Sequence, residues 1–131
     1  MGCDSYGVQL SCLIVDDNQS FLEAARMLLE REGLTIAGIA SNSAEALHQA
    51  EMLHPDVVLV DVMLGKESGF DLAYLLTKGD CAGKATVILI STRAEEDVAD
   101  LVDQSPAAGF LPKAELSAGA IRRIASGRRE R

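Results

Sequence analysis

The sequence predicts an α/β fold, a parallel sheet with helices on both faces. Three observations carry that reading. Strand-like runs at 10–15, 34–40, 56–60, 85–90 and 108–111 alternate with helix-like runs at 18–32, 43–53, 68–78, 94–104 and 115–126. Such alternation is the signature of repeated strand–helix units. Leu13-Ile14-Val15, Val57-Val58-Leu59-Val60 and Val87-Ile88-Leu89-Ile90 are unbroken apolar runs rich in β-branched residues, as in strands covered on both faces. Acid then stands directly behind two of those runs, Asp16-Asp17 and Asp61. Open α/β sheets build their sites at that edge.

Each element has its own justification. The first strand contains Cys12, a small residue suited to a core. In the first helix Phe21, Leu22, Ala25, Leu28 and Leu29 fall on one face, and Gly33 follows at the position glycine favours after a helix. The second helix has Asn42 or Ser43 as its N-cap. It ends at His54-Pro55, because the residue before proline avoids helical geometry. The run 108–111 is read as a strand mainly from its place in the alternation.

Composition narrows the class. A chain of 131 residues with 48% hydrophobic content can bury a sizeable core. Aromatics make up 4% and Trp is absent, so that core is aliphatic. We expect a single domain at 10–126, a loose tail at 1–9 and a basic tail at 127–131. A net charge of −8 and a pI near 4.6 argue against direct binding of nucleic acid or anionic lipid. Cys3, Cys12 and Cys81 show no metal or disulfide spacing, so a reducing cytoplasm is the default compartment. The start Met1-Gly2-Cys3 lacks the Ser or Thr at position six that myristoylation prefers, where Tyr6 stands. The sequence offers no apolar stretch near 18 residues for a membrane span, and residues 1–7 lack the order of a signal peptide. His48 and His54 have no second ligand at useful spacing and receive no metal role.

The chemistry lies at the strand ends. Asp16-Asp17, Asp61, Ser91 and Lys113 each follow an apolar run, Lys113 by a residue or two. Three carboxylates at one edge repel unless a cation shares them, and a hard divalent ion such as Mg²⁺ suits them. Acid pair, lone acid, hydroxyl and ammonium together make a phosphoryl-transfer set. Asp61 would be the nucleophile and Lys113 and Ser91 would contact phosphoryl oxygens. Taken singly, each residue has a plainer reading. Asp16 and Asp17 could be helix N-terminal acids, Asp61 a turn former, Ser91 a cap, Lys113 a surface lysine and Phe110 plain core.

The sequence resembles the receiver domains of two-component response regulators. LIVDDN at 13–18, VVLVDVMLGKESG at 57–69, VILIST at 87–92 and GFLPK at 109–113 carry the resemblance, over about residues 10–126. It implies a flavodoxin-like (βα)5 fold with strand order 2-1-3-4-5. It also implies that Asp61 takes a phosphoryl group from a histidine kinase or phosphotransfer protein, with Mg²⁺ held by Asp17, Asp16, Asp61 and the Met63 backbone carbonyl. Ser91 would be the switch hydroxyl, with Thr92 as the alternative. Phe110 would turn inward behind Ser91, and Lys113 would pair with the phosphate. The altered fourth helix, fifth strand and fifth helix would then meet a downstream protein. Met63 and Arg93 are expected to overhang the site and set the acyl-phosphate lifetime by controlling water entry.

Some residues depart from the family pattern. Gly65 stands where proline is common, which predicts a softer loop. Thr92 replaces a small residue and would narrow access to Asp61. Ala114 replaces a proline whose peptide is often cis, leaving the geometry of Lys113–Ala114 open. GFLPK resembles receivers that carry a DNA-binding output domain. The chain ends before such a domain could fit, so we expect a stand-alone receiver. The alternatives are a phosphate-independent adaptor, a small phosphatase using Asp61, and the receiver part of a DNA-binding regulator. The phosphatase would want a second acid where Met63 stands.

Charge is split between the last two helices. Glu95, Glu96, Asp97, Asp100 and Asp103 lie on the fourth, and Arg122, Arg123, Arg128, Arg129 and Arg131 on the fifth and its tail. Two readings stand: solvated faces, or a salt-sensitive homodimer pairing acidic with basic helix.

Overall fold

The computed structural model describes residues 10–78, 85–92, 100 and 102–129, with side chains to residue 126. Five parallel strands form one sheet: β1 (Ser11–Val15), β2 (Thr35–Ala40), β3 (Val57–Asp61), β4 (Thr86–Ser91) and β5 (Gly109–Pro112). Their spatial order is β2-β1-β3-β4-β5, the flavodoxin-like order expected. Helices α1 (Gln19–Arg31), α2 (Ser43–Leu53), α3 (Gly69–Lys78) and the C-terminal helix (Ala118–Arg129) cover it.

The sheet is buried on both faces because the strand period of two sends alternate residues to opposite sides. Leu13, Val15, Val58, Val60, Val87 and Leu89 face one way, with Ala46 and Ala50 of α2 and Leu72 and Leu76 of α3. Cys12, Ile14, Val57, Leu59, Ile88 and Ile90 face the other way, with Leu22 and Leu29 of α1 and Ile121 of the C-terminal helix. All five residues of β3 are buried. Each large aliphatic side chain so buried stabilises the fold by roughly 1.5–3 kcal/mol. Burial pushes the Cys12 thiol up to about 12, so it is an inert core residue.

Helix ends follow sequence chemistry closely. Asn18 caps α1 by accepting from the Phe21 N–H, and Asn42 caps α2 by accepting from the Glu45 N–H. At the end of α1, Gly33 (φ +99°) closes a Schellman motif: its N–H donates to Glu30 O and that of Leu34 to Leu29 O. His54 takes the left-handed conformation (φ 49°) that ends α2 before Pro55.

Three features differ from the sequence reading. The last helix runs from Ala118 to Arg129 rather than over 115–126: it starts late because Lys113–Glu115 forms a single 3₁₀ turn first, and it continues into the expected tail. Its N-terminus is capped locally by Ser117 Oγ, which accepts from Ala120 N–H. It is capped from α1 by Glu32 Oε1, which accepts from Ala118 N–H at 2.7 Å. A two-stranded hairpin, Met63–Leu64 with Glu67–Ser68, stands between β3 and α3. It turns at Gly65, whose φ is +61°. Proline, locked near −65°, cannot take that conformation, so the departure at Gly65 specifies a tight turn rather than slack. Of the predicted fourth helix, residues 100 and 102–104 are described and are helical. Glu95, Glu96, Asp97 and Arg93 lie outside the described residues, as do Cys3, Cys81 and Arg131.

Candidate functional site

Strand register delivers the acids to one place. Val15 pairs with Val60, so Asp16 lies level with Asp61 at the C-terminal edge. Asp16 N–H still donates to Ala40 O, prolonging the ladder to β2 and fixing the residue after the strand. Neighbouring β4 places Ser91 one residue beyond Ile90, the partner of Asp61. Ser91 in turn pairs with Pro112, and Lys113 follows it.

Carboxylate oxygens of Asp16, Asp17 and Asp61 all lie within 4.8 Å of one another. Asp16 is fully buried, Asp61 nearly so and Asp17 exposed. Asp16 Oδ1 accepts from Asn18 N–H at 2.9 Å. Its Oδ2 is buried, with the ammonium of Lys113 at 2.5 Å and no other partner among the described residues. Asp61 Oδ1 accepts from Met63 N–H at 3.2 Å, and Oδ2 meets Lys113 Nζ at 3.2 Å. Lys113 therefore bridges the two buried acids.

Burial raises the Asp61 carboxyl above the ordinary range, and the charge of Asp16 adds to it; the Met63 N–H and Lys113 oppose but do not cancel the rise. For Lys113 burial pulls the ammonium down, but the hydrogen bond to Asp16 and the charges of both acids outweigh it and the net shift is upward. When all are ionised, three carboxylates against one ammonium leave two formal negative charges in excess. All donors are hard oxygens, and one buried oxygen has only the lysine. That set fits a hard divalent cation.

The profile of the family described as response regulator receiver domain matches residues 12–124. This chain belongs to that family. Several of the receiver's relatives are described as transcriptional or response regulators. YvfU of Bacillus subtilis, described as an uncharacterized transcriptional regulatory protein, is 35% identical over 120 residues, 88% of this chain and 59% of its own length. A two-component response regulator of the LuxR family from Aurantimonas sp. SI85-9A1 superposes with a TM-score of 0.81 at 25% identity, over 92% of this chain and 87% of that one. A Burkholderia pseudomallei response regulator, solved with a phosphorylated aspartic acid, a calcium ion and citrate, superposes with a TM-score of 0.75 at 26% identity, over 93% and 72% of the respective chains. The receiver spans between 29% and 59% of the length of the curated relatives it matches.

The structure brings together Asp16, Asp17, Asp61, Lys113 and the Met63 backbone, with Ser91 buried at the same edge. Phe110 is buried against Val87 and Leu89. The side chains of Met63 and Thr92 are exposed. No peptide is cis among the described residues, which makes Lys113–Ala114 trans. Arg122 packs back onto its own chain: a Cβ added at Gly33 would lie 3.3 Å from its guanidinium.

Three site neighbours escaped the sequence reading. Gly65 comes so near the acids that an added Cβ would lie 3.4 Å from Asp17 Oδ2. Glu67 ties the hairpin to α2 by accepting from Ser43 N–H at 2.9 Å. Phe21 places its ring under the Lys113 ammonium, 4.3 Å from Nζ to the centroid. Its position four residues after Asp17 is the one sequence signal available, because it puts Phe21 in the first turn of the helix that leaves the acid pair.

Proposed function

We propose that this receiver is a phosphorylation-controlled switch with Asp61 as phosphoacceptor. The observation that carries the reading is the convergence of Asp16, Asp17, Asp61 and Lys113 on one sheet edge, all three carboxylates within 4.8 Å. Asp61 attacks the phosphorus of a phosphohistidine on a kinase or phosphotransfer protein. The new O–P bond forms as the P–N bond breaks, and the imidazole nitrogen keeps the electron pair. Lys113 leaves its bridge to contact a phosphoryl oxygen, and Ser91 donates to another. Asp17, Asp16, Asp61 and the Met63 carbonyl would hold Mg²⁺, which would supply charge neutralisation to the transferring group. Met63, Thr92 and Arg93 govern donor and water access. Phe110 and the surface around β5 and its flanking helices carry the change to a partner protein. Residues 10–126 form the working domain in the cytoplasm.

Intact mass after incubation with Mg²⁺ and a small acyl-phosphate donor tests this. One phosphoryl group is expected on the wild type and none on Asp61→Asn. A wild type that stays unmodified, together with an unmodified Thr92→Ala variant, would favour the phosphate-independent adaptor.

A second reading concerns context. The receiver spans 29–59% of the length of its curated relatives, several of them described as transcriptional regulators, and that supports a place within a longer DNA-binding regulator. The mass of the protein isolated from its source decides between this and a stand-alone chain.

A further inference from the structure

Among the described residues the Lys113 ammonium meets three groups: Asp16 Oδ2 at 2.5 Å, Asp61 Oδ2 at 3.2 Å and the Phe21 ring at 4.3 Å. Two are the oxygens a divalent cation would want. An ammonium and a dication cannot share them without strong repulsion, so lysine and metal compete for the acid cluster. The third neighbour belongs to neither acid. Phe21 is half-buried at the start of α1, and the negative face of its ring attracts the cation. Its backbone is fixed in the helix, because its N–H donates to the Asn18 cap that directly follows the acid pair. The ring therefore does not follow Lys113 when the lysine moves.

We propose that Phe21 is a positioning residue that holds Lys113 in the bridge between Asp16 and Asp61, and so sets how tightly the acid cluster takes Mg²⁺. The inference rests on the reading of the cluster as a Mg²⁺ site. With the ring present the lysine competes harder and Mg²⁺ binds more weakly. Without it the metal gains the oxygens more easily.

The chain has no Trp, so affinity is best read by calorimetry or by amide NMR shifts on titration with MgCl₂. Phe21→Leu keeps an apolar side chain but removes the ring, and should tighten Mg²⁺ binding about two- to fivefold. Phe21→Tyr keeps the ring and should restore the wild-type value. In a Lys113→Met background, Phe21→Leu should change nothing further. A separate readout needs no metal: the Lys113 Cε protons should show an upfield ring-current shift in the wild type and Phe21→Tyr, lost in Phe21→Leu. Equal affinities for wild type and Phe21→Leu, an effect of Phe21→Leu that persists without Lys113, or no ring-current shift in the wild type each overturn the proposal while leaving the Mg²⁺ site intact. Absence of Mg²⁺ binding in wild type and Lys113→Met alike overturns both.

Discussion

Strand β3 carries an aspartate at each end, and the two behave differently. Asp56, just before the strand, accepts from both the backbone N–H (2.9 Å) and hydroxyl (3.3 Å) of Ser11, and its own N–H donates to Ser11 O and Oγ. It is exposed. Asp61, five residues on, is buried beside another buried acid and raised above the ordinary carboxyl range. Its partners are one N–H and a lysine that also serves Asp16. Asp56 pins β1 to β3. Asp61 sits where neighbouring charge is only partly compensated, which is the condition for taking up a cation or a phosphoryl group. One side-chain type thus meets opposite surroundings, a satisfied staple at one end of the strand and an undercompensated charge cluster at the other, according to burial and the charge beside it.

The comparison can be broken most strongly next to Asp61. Gly69 opens α3 directly behind it, and an added Cβ would overlap the Asp61 carbonyl oxygen and come within 2.7 Å of Val62 Cα. Both are backbone atoms, which cannot swing aside. Gly69→Ala should cost about 3 kcal/mol, read as a lower urea midpoint. Gly38→Ala is the control: its added Cβ meets mainly the side chain of Gln49, a flexible obstacle, so the loss should be clearly smaller.

Lys113→Met comes next. It strips Asp16 Oδ2 of its one partner among the described residues and should destabilise by roughly 2–3 kcal/mol. Saturating Mg²⁺ should return much of that by mass action. A variant as stable as the wild type in metal-free buffer would show that the bridge contributes nothing. Asp56→Ala, at the other end of the strand, should cost about 1 kcal/mol and leave both Mg²⁺ affinity and phosphoryl acceptance unchanged. A change in either would end the division into staple and reactive group.

The smallest effect sharpens the contrast. Asp61 binds its proton more tightly in the folded chain than at its ordinary value of 3.8. The stability linked to that proton is fully present below the unfolded pKa and is lost as pH rises through the higher folded pKa. Asp61→Asn removes this loss. In metal-free buffer the variant should overtake the wild type as pH climbs through that window. Parallel stability profiles for the two proteins would refute it.

How much of this was legible in the chain depends on the range of the interaction. The strands of β1, β3 and β4 were plain because unbroken aliphatic runs have few other places to go. Asn18, Asn42 and Gly33 announced helix ends because caps act within a few residues. The acids stood out because they interrupt apolar runs at the point where a strand stops. Less visible was the start of the last helix, since its cap includes Glu32, 86 residues from Ala118. The tight turn at Gly65 is not legible either, because its φ of +61° is set by the pairing of Met63–Leu64 with Glu67–Ser68 rather than by the neighbouring residues alone.

The sheet, the two helical layers and the identity of the residues at the sheet edge are written in the chain, because strand period, helix period and capping are local free energies. Which charges meet is a matter of the folded arrangement. Lys113 bridges Asp16 and Asp61, and Phe21 stands under the lysine. These contacts join segments far apart in the chain. They depend on register and on the packing of α1 against the sheet, and no periodicity along the chain encodes them.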